Sequence, residues 1–221
     1  MSDYEQLMGL IRSRRSIRRF SERRVSRDDL MRLLEAAGWA PSNHNRQPWK
    51  FVILEDRRQI AGLADLVGQG LTEKMKSLPE TAAAYAGEFK HYATFFARAP
   101  VLIVVLHKPP VSVSAPLLAG LKKPDLVSGE PLSAAMAVQN LLLAAQALGL
   151  GACVLTGPLL VQNALAGALA LPAGYELTCL VAAGHPAESP PSPRRKNIEQ
   201  IAEFRNNPPP TKPANDRDEN L

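Results

Sequence analysis

An α+β fold built round a modest central sheet is what this 221-residue chain predicts, on three observations. Four apolar runs read as strands: Trp49–Leu54, Val101–Leu106, Ala152–Leu155 and Glu176–Ala183. Between them lie stretches with apolar residues at helical spacing. Strands and helices alternate only in part, and no internal repeat is visible.

The first helix is read from Tyr4, Leu7, Met8 and Ile11, which follow the i, i+3, i+4, i+7 template. A basic stretch and the link Phe20 to Val25 follow. Ser26-Arg27-Asp28-Asp29 reads as a capping box opening a second helix, whose apolar face is Leu30, Leu33, Leu34 and Ala37. Gly38 sits where a C-terminal cap is expected. Residues 40–48 form a loop by their Pro, Ser and Asn content, and the strand Trp49–Leu54 is apolar enough to be covered on both faces. Helices are expected at Arg57–Leu66 and Glu80–Ala97, with an undefined stretch around Gly68, Gly70 and Pro79. After the strand Val101–Leu106 comes a proline-rich excursion from Lys108 to Gly129. Pro131–Leu148 reads as a helix apolar almost all round, placed in the core or in a subunit interface, because Ser133, Gln139, Asn140 and Gln146 are costly in lipid. Gly149-Leu150-Gly151 stops it. A helix at Leu159–Leu169 precedes the last strand. The domain is drawn at 1–205, and the polar, proline-rich residues 206–221 form a disordered tail or an arm laid on another subunit.

Composition narrows the function. Apolar residues at 46% and charged residues at 21% describe one soluble globular domain. Met1-Ser2-Asp3-Tyr4-Glu5 does not resemble a signal peptide, and no apolar run spans a bilayer, so a cytoplasmic location is expected. Cys153 and Cys179 lack CxxC spacing and read as buried, reduced thiols. The four histidines are scattered, without metal-ligand spacing, and no GxSxG or GxxxxGK[ST] segment occurs. Gly149-x-Gly151 is not a dinucleotide fingerprint, because Val154 occupies the third glycine position and the helix precedes the strand.

Net charge is +5, and seven arginines crowd into Arg12–Arg24. Such a cluster serves a solvated surface, nucleic acid or a small anion. Nucleic-acid binding is weakened by the single nearby aromatic, Phe20, and an aromatic content of 5%. It stays as the non-enzymatic alternative.

Two segments carry more information than the rest. Arg14-Arg15-Ser16-Ile17-Arg18-Arg19-Phe20 packs cations and a hydroxyl together, and Ala40-Pro41-Ser42-x-x-Asn45-x-Gln47-Pro48-Trp49 is a polar loop entering a strand. Both resemble signature segments of the FMN-dependent nitroreductase family. Two further elements follow in order, Gly149–Gly151 with Leu155-Thr156-Gly157-Pro158, and Gly184-His185-Pro186 with Pro193-Arg194-Arg195-Lys196. The resemblance implies a mainly antiparallel sheet flanked by helices, and a homodimer with FMN at its interface and a C-terminal segment reaching the partner subunit. Arg14, Ser16 and Arg18 would then grip the phosphate, where guanidinium forks suit its oxygens. Arg15 adds a cation or a hydrogen bond to the ring edge, and Arg195, with Lys196, closes the phosphate site. Pro41, Ser42 and Asn45 resemble residues that approach the ring from the second subunit, with Asn45 either pairing with the ring or holding its loop. Gln47 reaches the flavin or braces the loop, Thr156 and Gly157 lie near the flavin N5 atom, and Trp49 is core. Arg12, Arg19, Arg23, Arg24 and His44 are read as solvated.

The implied activity takes hydride from NAD(P)H and reduces a planar electrophile, a nitroaromatic or a quinone, with no catalytic side chain and no metal. Residues 68–97 and 108–128 are expected to form the substrate lid. A deiodinase-like or dehydrogenase activity of the same family is the alternative, with Glu73, Glu88, Tyr85, Tyr92, Lys74 and Lys76 as lid material.

Overall fold

The computed structural model describes residues 1–77, 79–109 and 129–205. The chain divides into two units, Met1–Pro190 and Pro191–Leu221. The tail 206–221 and most of the excursion, 110–128, lie outside the described residues.

In the first unit a four-stranded antiparallel sheet runs in the order β1-β2-β4-β3, with β1 Trp49–Leu54, β2 Val101–His107, β3 Gly151–Leu155 and β4 Glu176–Gly184. The α+β, mainly antiparallel expectation is met. Strand β2 is central, and every one of its residues is buried. Its side chains alternate between two core layers, as strand geometry requires. Val101, Ile103 and Val105 face one layer, and Leu102, Val104 and Leu106 the other. Burying each such aliphatic side chain contributes roughly 1.5–3 kcal/mol.

The first layer is closed by α2 (Arg27–Gly38) and α5 (Gly129–Ala147). Ser26 caps α2 by accepting from Asp29 N at 3.0 Å. The Asp29 carboxylate takes the Ser26 hydroxyl at 2.7 Å rather than the backbone amide a full capping box requires. Gly38 is the last helical residue and not a left-handed cap, so the helix end is satisfied otherwise: Asn140 of α5 donates to Ala36 O at 3.1 Å. The second layer is closed by α3 (Arg57–Met75), a 3-10 turn at Phe95–Arg98 after α4 (Glu80–Thr94), and a 3-10 turn at Gly157–Val161 continuing into α6 (Gln162–Ala168).

Two further expectations are corrected. Helix α3 runs nine residues beyond Leu66, through Gly68 and Gly70. Those glycines allow close packing: a Cβ on Gly70 would stand 2.7 Å from Val161 Cγ1. The segment 159–169 is a 3-10 turn followed by a short helix, since Pro158 and the tight approach of Gly157 to Ala93 shape its start. Strand β1 lies at the sheet edge with Lys50 exposed, yet it is covered on both faces as expected: Trp49, Phe51 and Ile53 pack on the first layer, Val52 and Leu54 on the second.

Helix α1 (Asp3–Ser13) begins in a Ser2/Glu5 capping box and buries none of its residues. Tyr4, Leu7 and Ile11 stay exposed, as do Leu132 and Met136 on α5, which α1 contacts. Both cysteines are buried and free, and burial pushes the Cys179 thiol up to about 12.

A bulge opposite Val105/Leu106 frees Thr178 from strand pairing, and its hydroxyl meets buried His107 Nδ1 at 2.9 Å. Burial lowers the His107 pKa from 6.5, against the opposing pull of Glu176 and Glu130. The unfolded chain therefore binds this proton first. Stability from His107 is full above about pH 6.5 and is lost as pH falls below it. Melting temperatures measured from about pH 8 down to 5 should fall, and His107→Gln should flatten that profile. An unchanged slope in the variant would remove this residue from the account.

Candidate cofactor site

The site starts where α1 ends. Arg14 N still closes the last helical hydrogen bond on Leu10 O, but its own backbone turns extended. Ser16 then forms a parallel bridge with Ala152, and Ile17 N donates to Ala152 O at 3.1 Å. An extended segment alternates its side chains. Ile17 points into the protein and is buried, fitting the gap left by Gly151. Arg14, Ser16 and Arg18 alternate with it, and burial raises the Cys153 pKa against the lowering influence of Arg18, a Ser16 hydrogen bond and Arg14. Three of the residues assigned to the phosphate thus share one face.

Arg18 opens on a cavity of about 190 Å³. Arg18, Cys153, Thr156 and Gly157 line one side, and Phe89, Tyr92 and Phe95 the other. The Arg18 guanidinium lies 5.3 Å from the Tyr92 ring centroid, within cation–π reach. Arg15 turns away: its Nη1 donates to Arg12 O and Arg14 O at 2.6 and 2.9 Å. Its Nε is buried and, among the described residues, without a hydrogen-bond partner.

Sequence reasoning missed Glu188. One of its carboxylate oxygens accepts from Arg18 N at 2.5 Å and Arg19 N at 3.0 Å. Together with Ser21 N to His185 O and Ala187 N to Arg19 O, both 2.9 Å, it clamps the basic segment from the β4 side. No local motif signals a contact 170 residues apart in sequence. Arg12, Arg19, Arg23 and Arg24 are exposed, as expected.

The second signature segment is a strained loop. His44, Asn45 and Gln47 all have positive φ, at 50°, 51° and 47°. Left-handed conformations in non-glycine residues each cost about 1 kcal/mol and persist only when held. Ser42 Oγ accepts from Gln47 N at 3.0 Å, and Asn45 Oδ1 accepts from Gln47 Nε2 at 3.2 Å. From α5, Ser133 Oγ accepts Asn43 N at 3.2 Å, and buried Glu130 pairs with Arg46 at 3.4 Å. Ser133 and Glu130 were also invisible to sequence motifs. Pro41, Ser42, Asn45 and Gln47 thus sit on a loop braced by its own side chains.

The two segments stand apart in the chain. Ser16 rides on the Gly151 end of β3, while the loop enters β1 at Trp49, which pairs with His107 at the opposite end of the sheet. Three strand spacings and six residue steps put these corners about 25 Å apart. Arg195 and Lys196 belong to the second unit, before a 3-10 turn at Ile198–Gln200 that Asn197 caps. Among the described residues no cluster of three or more His, Cys, Asp or Glu could hold a metal ion, and no helix could cross a membrane.

The sequence profile of the Nitroreductase family matches residues 11–185, which takes in both signature segments and the whole sheet. The chain belongs to the nitroreductase family. As a member it is a flavoprotein oxidoreductase. It is 32% identical to protein DrgA of Synechocystis over 85% of its own length and 87% of that protein. It is also 32% identical to an Archaeoglobus fulgidus protein named for NADH dehydrogenase and NAD(P)H nitroreductase, covering 66% of this chain and 65% of that one. Among solved structures, a BluB-like flavoprotein of Clostridium difficile superposes with a TM-score of 0.77 at 28% identity, covering 90% and 98% of the two chains. An FMN complex from Desulfovibrio desulfuricans, described as a nitroreductase, gives 0.63 at 31%, covering 90% and 96%. Iodotyrosine deiodinase bound to FMN and 3-iodo-L-tyrosine gives 0.69 at 25%, covering 90% and 100%.

Proposed function

We propose that this nitroreductase-family protein is an FMN-dependent NAD(P)H oxidoreductase acting on planar electrophiles. The observation that carries this reading is the extended basic segment, held on β3 at Ser16 and placing Arg18 in the lining of the cavity that Thr156 and Gly157 border. FMN, when bound, supplies hydride transfer between NAD(P)H and the electrophile. The chain's own work is to bind and orient. Arg14, Ser16 and Arg18 neutralise and hydrogen-bond a phosphate. Arg15, whose buried Nε has no hydrogen-bond partner among the described residues, is assigned the role of a further cation or ring-edge donor, and Thr156 and Gly157 border the ring. Arg195 and Lys196 are assigned to the phosphate from the C-terminal side. Glu188 keeps the Arg18 backbone extended so that its guanidinium faces the cavity.

Pro41, Ser42, Asn45 and Gln47 are assigned to the ring of a second copy. The separation of the two segments supports a homodimer, as do the exposed apolar residues of α1 and α5. Free, buried thiols fit a cytoplasmic location.

The test is reconstitution. Purified protein should take up FMN, turn yellow, and oxidise NADH or NADPH in the presence of nitroaromatics or quinones. Colourless protein that refuses FMN yet binds nucleic acid with steep salt dependence would replace this reading with the basic-module alternative. A deiodinase-like reading draws on the same lid: Tyr85 and Tyr92 lie on α4 near the cavity, but Glu73 is engaged by Lys76 at 2.5 Å.

Gly157 offers a sharper probe of the ring locus. A Cβ there would stand 3.1 Å from Ala93 Cβ and 3.4 Å from Phe89 Cζ. Gly157→Val should therefore intrude on the cavity and weaken FMN binding by roughly tenfold, about 1.4 kcal/mol. Unaltered affinity in a fluorescence titration would move the ring elsewhere.

A further inference from the structure

We propose that the preferred electrophile is a quinone carrying a hydrocarbon side chain, whose tail lies in a groove between α3 and α4; this rests on the function proposed above. The two helices form a hairpin pinned at one end. A Cβ on Gly68 would meet Lys90 Cε at 3.3 Å and Thr94 Cγ2 at 3.6 Å, and Lys90 Nζ donates to Thr72 Oγ1 at 2.7 Å. Towards the turn that joins them the helices leave a groove of about 380 Å³. Leu71 and Met75 of α3 form one wall, Tyr85 and Phe89 of α4 the other, and Ala82 and Ala86, one helical turn apart, leave room between. Leu160 completes it, and Lys74 is the single ionisable side chain apart from the Tyr85 phenol.

Phe89 is the hinge of the argument, because it lines both this groove and the cavity holding Arg18, Thr156 and Gly157. One ligand can pass from a polar compartment to a hydrocarbon one across a single side chain. Tyr85, Phe89 and Leu160 are 71%, 40% and 55% exposed, so among the described residues apolar surface continuous with the reaction cavity is left uncovered. A compact nitroaromatic would fill the cavity and leave the groove wet. A flat head with an aliphatic tail removes both surfaces from water. The reaction balances as quinone plus NAD(P)H plus one proton from water giving hydroquinone and NAD(P)⁺; the tail takes no part in it.

The FMN-loaded protein is titrated calorimetrically, at several temperatures, with matched quinones bearing a methyl or a decyl side chain, and turnover of both is measured with NAD(P)H. The decyl compound should bind at least about tenfold tighter, given roughly fourfold per buried methylene, and with a more negative heat-capacity change. Ala86→Trp, which fills the groove, should bring the two affinities together; Ala82→Phe serves if that variant does not fold. Equal affinities in the wild type, as expected if a second copy of the chain covers the groove, would overturn the proposal. So would a decyl preference that survives both substitutions. Failure to reduce either quinone or any nitroaromatic would sink the proposed function itself, and this inference with it.

Discussion

Replacing Arg14 and Arg18 together by alanine is expected to strip FMN from the protein while leaving the chain folded. The two side chains stand on one face of an extended segment, on either side of Ser16 and close to Cys153. Neither is needed by the core: Arg14 is half-buried and Arg18 exposed, and no ion pair ties them to the described residues. A hydrogen bond to a charged partner contributes roughly 1.5–3 kcal/mol, so losing both guanidinium contacts should weaken FMN by about 3–6 kcal/mol, a factor of about 10² to 10⁴. Quenching of FMN fluorescence on titration measures this directly. Melting temperatures without FMN should match the wild type, whereas the rise that FMN produces should vanish. Lysine at both positions should restore only part of the affinity, because an ammonium keeps the charge and loses the planar fork. A double alanine variant that keeps its flavin would show that the phosphate lies elsewhere.

Gly151→Val is the most damaging single substitution expected in the framework of the site. A Cβ at this position would come within 2.7 Å of Ile17 Cβ and Cγ1 and 2.8 Å of its Cγ2. These are the root of a stiff β-branched side chain, so a rotamer change cannot relieve the collision. Either β3 or the basic segment must move, and the segment is held on this side by Ile17 N to Ala152 O alone, besides its bridge. Overpacking of this kind costs on the order of 3 kcal/mol, or about 6–12 °C in melting temperature for a domain of this size. Because Arg14, Ser16 and Arg18 travel with the segment, FMN affinity should fall as well. Gly9→Ala on α1, where nothing lies within 4 Å, is the matched control and should gain about 0.5–1 kcal/mol. Equal stability of the two variants would refute the packing argument.

The strands were legible because β-branched and aliphatic runs such as Val101–Leu106 have one physical outcome in a covered sheet. The N-terminal boundary of α2 followed from Ser26 as its cap. Glycine misled where its role was tertiary. Gly68 and Gly70 look like helix breakers locally, yet they let α3 approach Thr94 and Val161. Arg14, Ser16 and Arg18 stood out in the sequence by their charge and by resemblance, whereas the extended backbone that alternates their side chains is a product of the pairing with Ala152. Glu188 and Ser133 act on segments far away in sequence, and only the sheet's topology reveals them. The strain at His44, Asn45 and Gln47 is equally non-local, since α5 stabilises it.

The central claim, that each flavin is gripped by the arginines of one protomer and bordered by residues 41–47 of another, is tested most directly by mixing two defective variants. Arg14→Ala/Arg18→Ala should bind no FMN alone, and Asn45→Trp should bind it poorly by obstructing the ring. Heterodimers of the two contain one wild-type pairing of segments and one doubly damaged pairing, so the mixture should regain tight binding at one FMN per heterodimer. A mixture that binds no more than the sum of its separate components would contradict the account.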